Sequence, residues 1–417
     1  MQLKTILNRV HKFQSFVYSD IKLTEHNQQL AMEITIVPRA NNKPICSGCG
    51  KKRPGYDTRD TRRFEFIPFW GILVFFVYTM RRVNCPTCGI KVESVPWATG
   101  KYRITTTYAW YLARWSKRMA WSQVADSFCT TWYTVYTAVN MAVQWGRQHV
   151  DYNGITAIGI DEIYLGQVFG YITLVYQINK DKIRLIWIGE EHKAKTLLRF
   201  FKWFGDERSA KLEFVCSDMW KGYLGVIARK AVNAINVLDR FHIVAHINKA
   251  IDKVRAGEAK ELVANGLDPV LKGSRWWFLK HPENLTEKQE TSLATVLEYN
   301  LKTIRSYLLK EEFKFFWEYT YAQNAGKFLD RWCTRAMRSR IEPMKKVAKM
   351  LRNHRELILN YFRAKKEFSS GVVEGLNNKA KVTIRNAYGF RTYKAAETAL
   401  YHTLGILPEP KTTHRFF

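Results

Sequence analysis

Apolar and polar positions follow two rhythms along this chain, and the changes between them outline its elements. The first is strand-like: Phe64-Glu65-Phe66-Ile67 and the run from Ile72 to Tyr78 are rich in β-branched and aromatic residues. The longest apolar run, Phe69 to Tyr78, is interrupted by Gly71 and followed by Arg81 and Arg82. It has about half the length of a spanning helix and reads as a buried strand or hairpin. A helical rhythm takes over from Thr105 to Val150. Within it, Trp121 to Phe128 predicts one short helix and Thr131 to Trp145 a second, joined by a tight turn at Cys129-Thr130. This is the outline of a helix-turn-helix, with Trp132, Tyr133 and Tyr136 near the start of its recognition helix.

From Thr156 the strand rhythm returns. Thr156 to Asp161, Tyr171 to Ile178 and Ile183 to Ile188 predict three strands, and Ala194 to Phe204 a helix. Leu212 to Asp218 predicts a strand, Tyr223 to Lys230 a helix, and Ala234 to Leu238 a strand that runs into Asp239-Arg240-Phe241-His242. The order describes a mixed α/β sheet. Residues 245 to 366 are helical and basic, with breaks at Asn265 to Pro269 and His281 to Asn284. Arg275-Trp276-Trp277-Phe278 within them is either core or a base-stacking surface.

Composition narrows the function classes. A chain of 417 residues exceeds one ordinary core, so two to four domains are expected. Its 66 Lys and Arg against 37 Asp and Glu leave a net charge of +29, which points to a polyanionic partner. No apolar run suits a membrane span, and the N-terminus lacks a signal-peptide pattern, so the expectation is a cytoplasmic protein in contact with DNA or RNA.

Four of the seven cysteines form two pairs, Cys46-x-x-Cys49 and Cys85-x-x-Cys88, each followed by a glycine and separated by a 36-position gap. Four thiolates suit a closed tetrahedral Zn2+ site that supplies folding energy, with a hairpin between the two knuckles. Lys51, Lys52, Arg53, Arg59, Arg62, Arg63, Arg81 and Arg82 surround it and are expected to contact DNA phosphates.

Asp161 and Asp218 end strands, where open α/β sheets place their sites, and together suit Mg2+ or Mn2+. Either aspartate alone reads better as a helix cap or turn former, but the two together, in this strand order and with the motif that follows, do not. Glu162 should point to the opposite face of its strand and is left out of this set. Further on, Ser369 to Lys381 reads as a helix that places Glu374, Asn378, Lys381 and Arg385 on one face. Val373, Leu376, Ala380 and Ile384 form a separate apolar stripe. A carboxylate beside an amide and cations suits a metal-and-phosphate site.

On these segments the chain resembles the DDE transposases of bacterial insertion sequences, and within them the zinc-ribbon, helix-turn-helix group called the ISL-three family. The matching segments are the two CxxC pairs, Gly159-Ile160-Asp161-Glu162, Ser217-Asp218-Met219-Trp220-x-x-Tyr223 and Asp239-Arg240-Phe241-His242. Glu374-Gly375-x-Asn377-Asn378-Lys379-x-Lys381 and Tyr388-Gly389-Phe390-Arg391 complete the set. The resemblance implies a multidomain α/β protein with an RNase H-like catalytic domain split by a helical insertion. The expected boundaries are 1–100 for the zinc ribbon, 101–152 for the helix-turn-helix and 153–244 for the first part of the core. Residues 245–366 would be the insertion, and 367–417 the catalytic helix and tail completing the core. It implies Asp161, Asp218 and Glu374 as the catalytic triad holding two Mg2+ or Mn2+ ions. Asp239 and His242, with Asn378 and Lys381, would be accessory, His242 either touching a phosphate or ordering the site. The expected partner is double-stranded DNA, both terminal inverted repeats and target, bound by a homodimer or larger assembly. A DNA-binding regulator that does not cleave, and an RNase H-like nuclease or resolvase, are the rival readings.

Overall fold

A computed structural model describes residues 3–167, 169–299, 301–367, 371–387 and 389–411. Ser369, Ser370 and Tyr388, quoted in the motifs above, lie outside them. Contacts group the chain into two compact units, residues 1–151 with 382–417 and residues 152–381.

The first unit opens with helix α1 (Leu3–Val10) and five strands: β1 (Phe16–His26), β2 (Gln29–Pro38), β3 (Gly55–Phe69), β4 (Ile72–Cys85) and β5 (Gly89–Val92). They form one sheet in the order β1-β2-β4-β3, with β5 added to β4. The Phe69–Ile72 turn joins β3 and β4 as a hairpin between the two cysteine pairs. Alternation puts Phe64, Phe66, Val74, Phe76 and Tyr78 into a shared core, where Trp97 packs edge-on to Phe16 and Tyr78 at 4.9 and 5.1 Å.

Three helices follow: α2 (Thr106–Trp115), α3 (Trp121–Ser127) and α4 (Trp132–His149). Thr131 caps α4 by accepting from the Thr134 N–H. No glycine marks the turn between α3 and α4 because Cys129 itself adopts the left-handed conformation, at φ 50°.

The second unit is built on β6 (Ala157–Tyr164), β7 (Tyr171–Asn179), β8 (Lys182–Glu190), β9 (Phe214–Ser217) and β10 (Ile235–Leu238). Helices α5 (Ala194–Phe204), α6 (Asp206–Ala210) and α7 (Lys221–Lys230) connect them. The strand order is β10-β9-β6-β7-β8. β6, β9 and β10 run parallel, and β7 is antiparallel to both β6 and β8. The carboxyl ends of β6, β8, β9 and β10 therefore share one edge of a mixed sheet, an arrangement that fits an RNase H-like core.

Each face of β6 has its own partner. Ile158 and Ile160 point into a core with Leu197, Phe200, Phe201 and Phe204 of α5 and Tyr223, Val226 and Ile227 of α7. Gly159 faces the other way, where Val373 approaches so closely that a Cβ would lie 2.4 Å from its Cγ2.

The rest of the unit is helical: α8 (Arg240–Ala264), α9 (Arg275–Leu279), α10 (Glu287–Leu297), α11 (Lys302–Lys314), α12 (Ala322–Arg338), α13 (Glu342–Asn353), α14 (Arg355–Arg363) and α15 (Gly371–Asn386). Buried Glu258 of α8 accepts from the N–H groups of Lys302 and Thr303, which satisfies the open start of α11. α14 is tied to the sheet by the Asn360 amide, which donates to the Asn236 carbonyl at 2.8 Å. In the aromatic cluster Phe278 is buried, while Trp276 is exposed under the Arg275 guanidinium, 5.3 Å from its ring centre.

The last helix, α16 (Tyr393–Leu404), packs against α4 in the first unit. The sequence reading assigned residues 367–417 as a whole to the catalytic core. Residues up to 381 stay with the second unit, but residues 382–417 group with the first, where α16, with Ala395, Ala396 and Ala399 buried, packs on α4. Among the described residues no helix is long and apolar enough to cross a membrane.

The contact between β6 and α15 gives a direct test. Gly159→Ala should destabilise the protein by about 1–3 kcal/mol, because the new methyl would overlap Val373 Cγ2 and a β-branched side chain has few rotamers to turn to. Adding Val373→Ala should restore part of that loss in urea unfolding. An unchanged midpoint in the single variant would contradict the close approach.

Candidate functional site

Two groups of side chains have the chemistry to hold metal ions, one in each unit. In the first unit the sulfurs of Cys46, Cys49, Cys85 and Cys88 all lie within 4.8 Å of one another. The pairing of Cys85 with Gly89 across the β4–β5 turn fixes one knuckle, and the bridge of Ile45 with Lys52 fixes the other. Gly48 leaves the space that a Cβ would fill at 2.9 Å from the Cys88 sulfur. Burial opposes ionisation of Cys85, yet the Thr87 and Cys88 backbone N–H groups outweigh it and bring the thiol down to about 5. Backbone donation at Lys51 lowers Cys49 as well, with a smaller contribution from Arg53. Four sulfurs, two of them disposed to be thiolates, fit a closed tetrahedral Zn2+ site.

The basic residues around this centre divide by their partners. Lys51 and Lys52 are exposed. Arg63 pairs with Glu33 at 2.5 Å, Arg82 with Asp57, and Arg53 hydrogen-bonds Cys49. Arg81, expected from the sequence to reach phosphate, is instead closed against Glu93, which is fully buried and also accepts from the Tyr78 hydroxyl. A guanidinium held by two bonds to a buried carboxylate is part of the fold, not a free cation. Trp132 and Tyr133 are exposed on the first turn of α4, and Trp132 stacks on Tyr136 at 5.6 Å.

In the second unit the carboxylates gather at the shared strand edge. Asp161 sits near the end of β6 on the face toward α15. Both of its oxygens are held: Oδ1 accepts from the Glu162 backbone N–H at 2.8 Å, and Oδ2 from the Asn377 amide at 2.5 Å. The Tyr176 hydroxyl donates to the Asn377 carbonyl at 2.7 Å, which locks the amide's orientation. Asp218 follows β9, and its Oδ1 accepts from the Trp220 N–H. Asp239 follows β10, caps α8 through the Phe241 N–H, and has His242 Nε2 at 3.7 Å. Asp218 and Asp239 thus serve as turn and cap residues, and both lie near enough to Asp161 to act on it electrostatically.

Electrostatics record that convergence. Burial raises the pKa of Asp161; its hydrogen bond from the Glu162 N–H and the nearby His242 oppose the shift, and Asp239 and Asp218 add to it. Glu162 is pushed up to about 8, first by burial, then by Asp218.

The sequence reading put Glu162 on the opposite face of β6 and set it aside. The face is as expected, since Glu162 pairs across to Thr173 on the side of Tyr223, but the side chain belongs to a cluster. Glu162, Asp218 and His192 have donor atoms within 4.8 Å of one another. Glu374, Asn378, Lys381 and Arg385 are all exposed on α15, while Val373, Leu376 and Ala380 are buried. Asn377, buried at the same level as that apolar stripe, is the residue that sequence reasoning missed; a lone amide within an apolar stripe was the available signal.

Comparison with known proteins bears on this edge of the sheet. The DDE_Tnp_ISL3 family model, described as "Transposase", matches residues 158–400, a span holding every carboxylate named at this sheet edge and on α15. The chain is 30% identical over 389 residues to the "Transposase for insertion sequence element IS1557" of Mycobacterium tuberculosis, covering 86% of this chain and 85% of that protein. It is 27% identical over 350 residues to the "Transposase for insertion sequence element IS1001" of Bordetella parapertussis, covering 83% and 85%.

Two outcomes follow from the site's electrostatics. Between about 4.5 and about 8 the folded protein keeps the Glu162 proton that the unfolded chain releases. The unfolded state then binds fewer protons, so this group makes metal-free stability fall as pH rises through that window and leaves it level outside. Denaturant unfolding from pH 4 to 9 should show that slope reduced in Glu162→Gln; an identical slope in the variant would contradict it. Separately, a strong chelator should release one Zn2+ per chain and lower the unfolding temperature of the first unit. A metal-to-chain ratio near zero by elemental analysis of protein prepared with zinc present would count against the thiolate site.

Proposed function

The chain belongs to the ISL3 family of DDE transposases, and on that premise we propose that it moves an insertion sequence by cutting and joining DNA at the element's terminal inverted repeats. The family supplies the coarser statement, a metal-dependent enzyme acting on DNA. The observation that carries the finer one is the convergence of Asp161, Asp218, Asp239 and His242 at one sheet edge, with α15 bonded to Asp161 through Asn377.

In this reading Asp161, Asp218 and Glu374 are the metal-holding triad. Divalent cations bound there would activate a water or a 3′ hydroxyl and stabilise the leaving oxygen. The chain's own residues do the positioning. Asn377 and the Glu162 N–H leave each Asp161 oxygen one lone pair, directed by a fixed carboxylate. Tyr176 keeps the amide from flipping. His242, beside Asp239, would either donate to a phosphate oxygen or order the site through that aspartate. Glu374 lies one helical turn before Asn377 on α15 and would have to turn inward from its exposed position to join Asp161 and Asp218. Asn378 and Lys381 share its exposed face and would meet the DNA backbone.

End recognition falls to the first unit. Lys51, Lys52 and Arg62 near the cysteine centre, Trp132 and Tyr133 at the start of α4, and Arg385 on α15 would contact the repeats. Transposition joins two ends, so a dimer or larger assembly on DNA belongs to the same reading.

The test is cleavage of DNA carrying the repeat ends that flank the gene, with Mg2+ or Mn2+. Asp161→Ala, Asp218→Ala and Glu374→Ala should each lower cleavage and strand transfer at least about a thousandfold, the scale on which removal of a charge-stabilising group acts, while repeat binding persists. Binding without metal-dependent cleavage under any condition would favour a regulator. Cleavage without strand transfer would favour a nuclease.

A further inference from the structure

Glu162 and Asp161 are consecutive on β6 and face opposite sides of the sheet, so the triad reading leaves Glu162 with no task. Its surroundings are unusual for a spare carboxylate. The side chain is only 10% exposed, and Oε1 is buried with no hydrogen-bond partner among the described residues. His192 Nε2 stands 3.3 Å away and is likewise buried without a hydrogen bond. An ordinary ion pair would align the imidazole N–H with the oxygen and satisfy both atoms. Here the two atoms stand within ion-pair distance, yet neither is aligned into a hydrogen bond.

Asp218 completes the group. Donor atoms of Glu162, His192 and Asp218 all lie within 4.8 Å of one another. Two ligands about 2.2 Å from one ion stand at most about 4.4 Å apart, so small side-chain adjustments convert this spacing into coordination. The frame around it is stiff. His192 follows β8 and is held between the rings of Trp220 at 4.4 Å and Tyr223 at 5.2 Å. Tyr223 is fully buried, its hydroxyl 2.8 Å from Thr173 Oγ1 and within hydrogen-bonding reach of the Glu162 carboxylate. Glu162 is thus held from behind while Oε1 faces His192.

We propose that Glu162, His192 and Asp218 form a divalent transition-metal site of their own, on the face of the sheet opposite Asp161 and sharing Asp218 with the triad. One imidazole nitrogen with two carboxylates favours Mn2+ and its neighbours over Mg2+, which demands a near-ideal shell of oxygens. An ion there joins the ends of β6, β8 and β9 and draws Asp218 into a fixed position. It also neutralises the carboxylate that burial and Asp218 disfavour as an anion. The site stands whether or not the triad is catalytic.

Pulsed electron paramagnetic resonance of the full chain loaded with Mn2+ reads the proposal without reference to activity. A directly bound imidazole gives nitrogen modulation of the Mn2+ signal. It is expected in the wild type and in Asp161→Ala, and expected to vanish in His192→Ala. Labelling histidine with nitrogen-15 in the unaltered protein must convert the pattern to that isotope, a control that requires no refolding of a variant. Absence of nitrogen coupling at saturating Mn2+, or coupling that survives in His192→Ala, overturns the site. DNA cleavage assayed on the same preparations separates the two readings. Coupling without cleavage keeps this site and rejects the transposition chemistry; triad-dependent cleavage without coupling does the reverse.

Discussion

Burial of carboxylates beside one another is the constraint on which the second unit turns. Asp161, Glu162, Asp218 and Asp239 meet at one sheet edge, and burial together with their neighbours raises the pKa of both Asp161 and Glu162. Left alone, such a cluster favours unfolding or protonation. The parallel run of β6, β9 and β10 forces it together, because the segments that follow these strands emerge side by side. The surrounding polar groups then hold Asp161 and Glu162 at set angles: Asn377 and Tyr176 on one face, Tyr223 and Thr173 on the other. That is a preorganised demand for cations, and DNA cleavage is one chemistry that uses it.

The first unit meets the same problem with softer atoms. Two knuckles in one sheet bring four sulfurs together there. There the metal would contribute to folding, and the sheet around it is closed by an aromatic core and by the buried Arg81–Glu93 pair. The contrast is one of access. The cysteines surround their centre, whereas Glu374, Asn378 and Lys381 remain exposed on α15, where a polyanion can reach them.

Much of this was legible in the sequence. Strand and helix rhythms gave the order of elements from β6 to β10, because each strand there is a short apolar run with a polar break after it. The paired cysteines declared themselves by spacing. What the one-dimensional pattern conceals is pairing at a distance. Arg81 reads as a free cation until β5 brings Glu93 alongside it. Glu162 reads as a spare carboxylate until the β8–α5 connection delivers His192. Asn377 differs from its neighbour Asn378 in the sequence only by falling within an apolar stripe, and its partner is visible only once α15 is laid against β6, with Gly159 permitting the approach. The packing of α16 on α4 links stretches too far apart in the chain for local periodicity to reveal.

The measurement that bears most directly on the central claim is anomalous diffraction at the manganese edge, from crystals of the protein bound to repeat-end DNA and soaked in Mn2+. The account predicts manganese at the sheet edge in contact with Asp161 and Asp218, with Glu374 swung inward to complete the coordination. An ordered sheet edge with no manganese beside Asp161, or manganese bound only elsewhere on the chain, would contradict it.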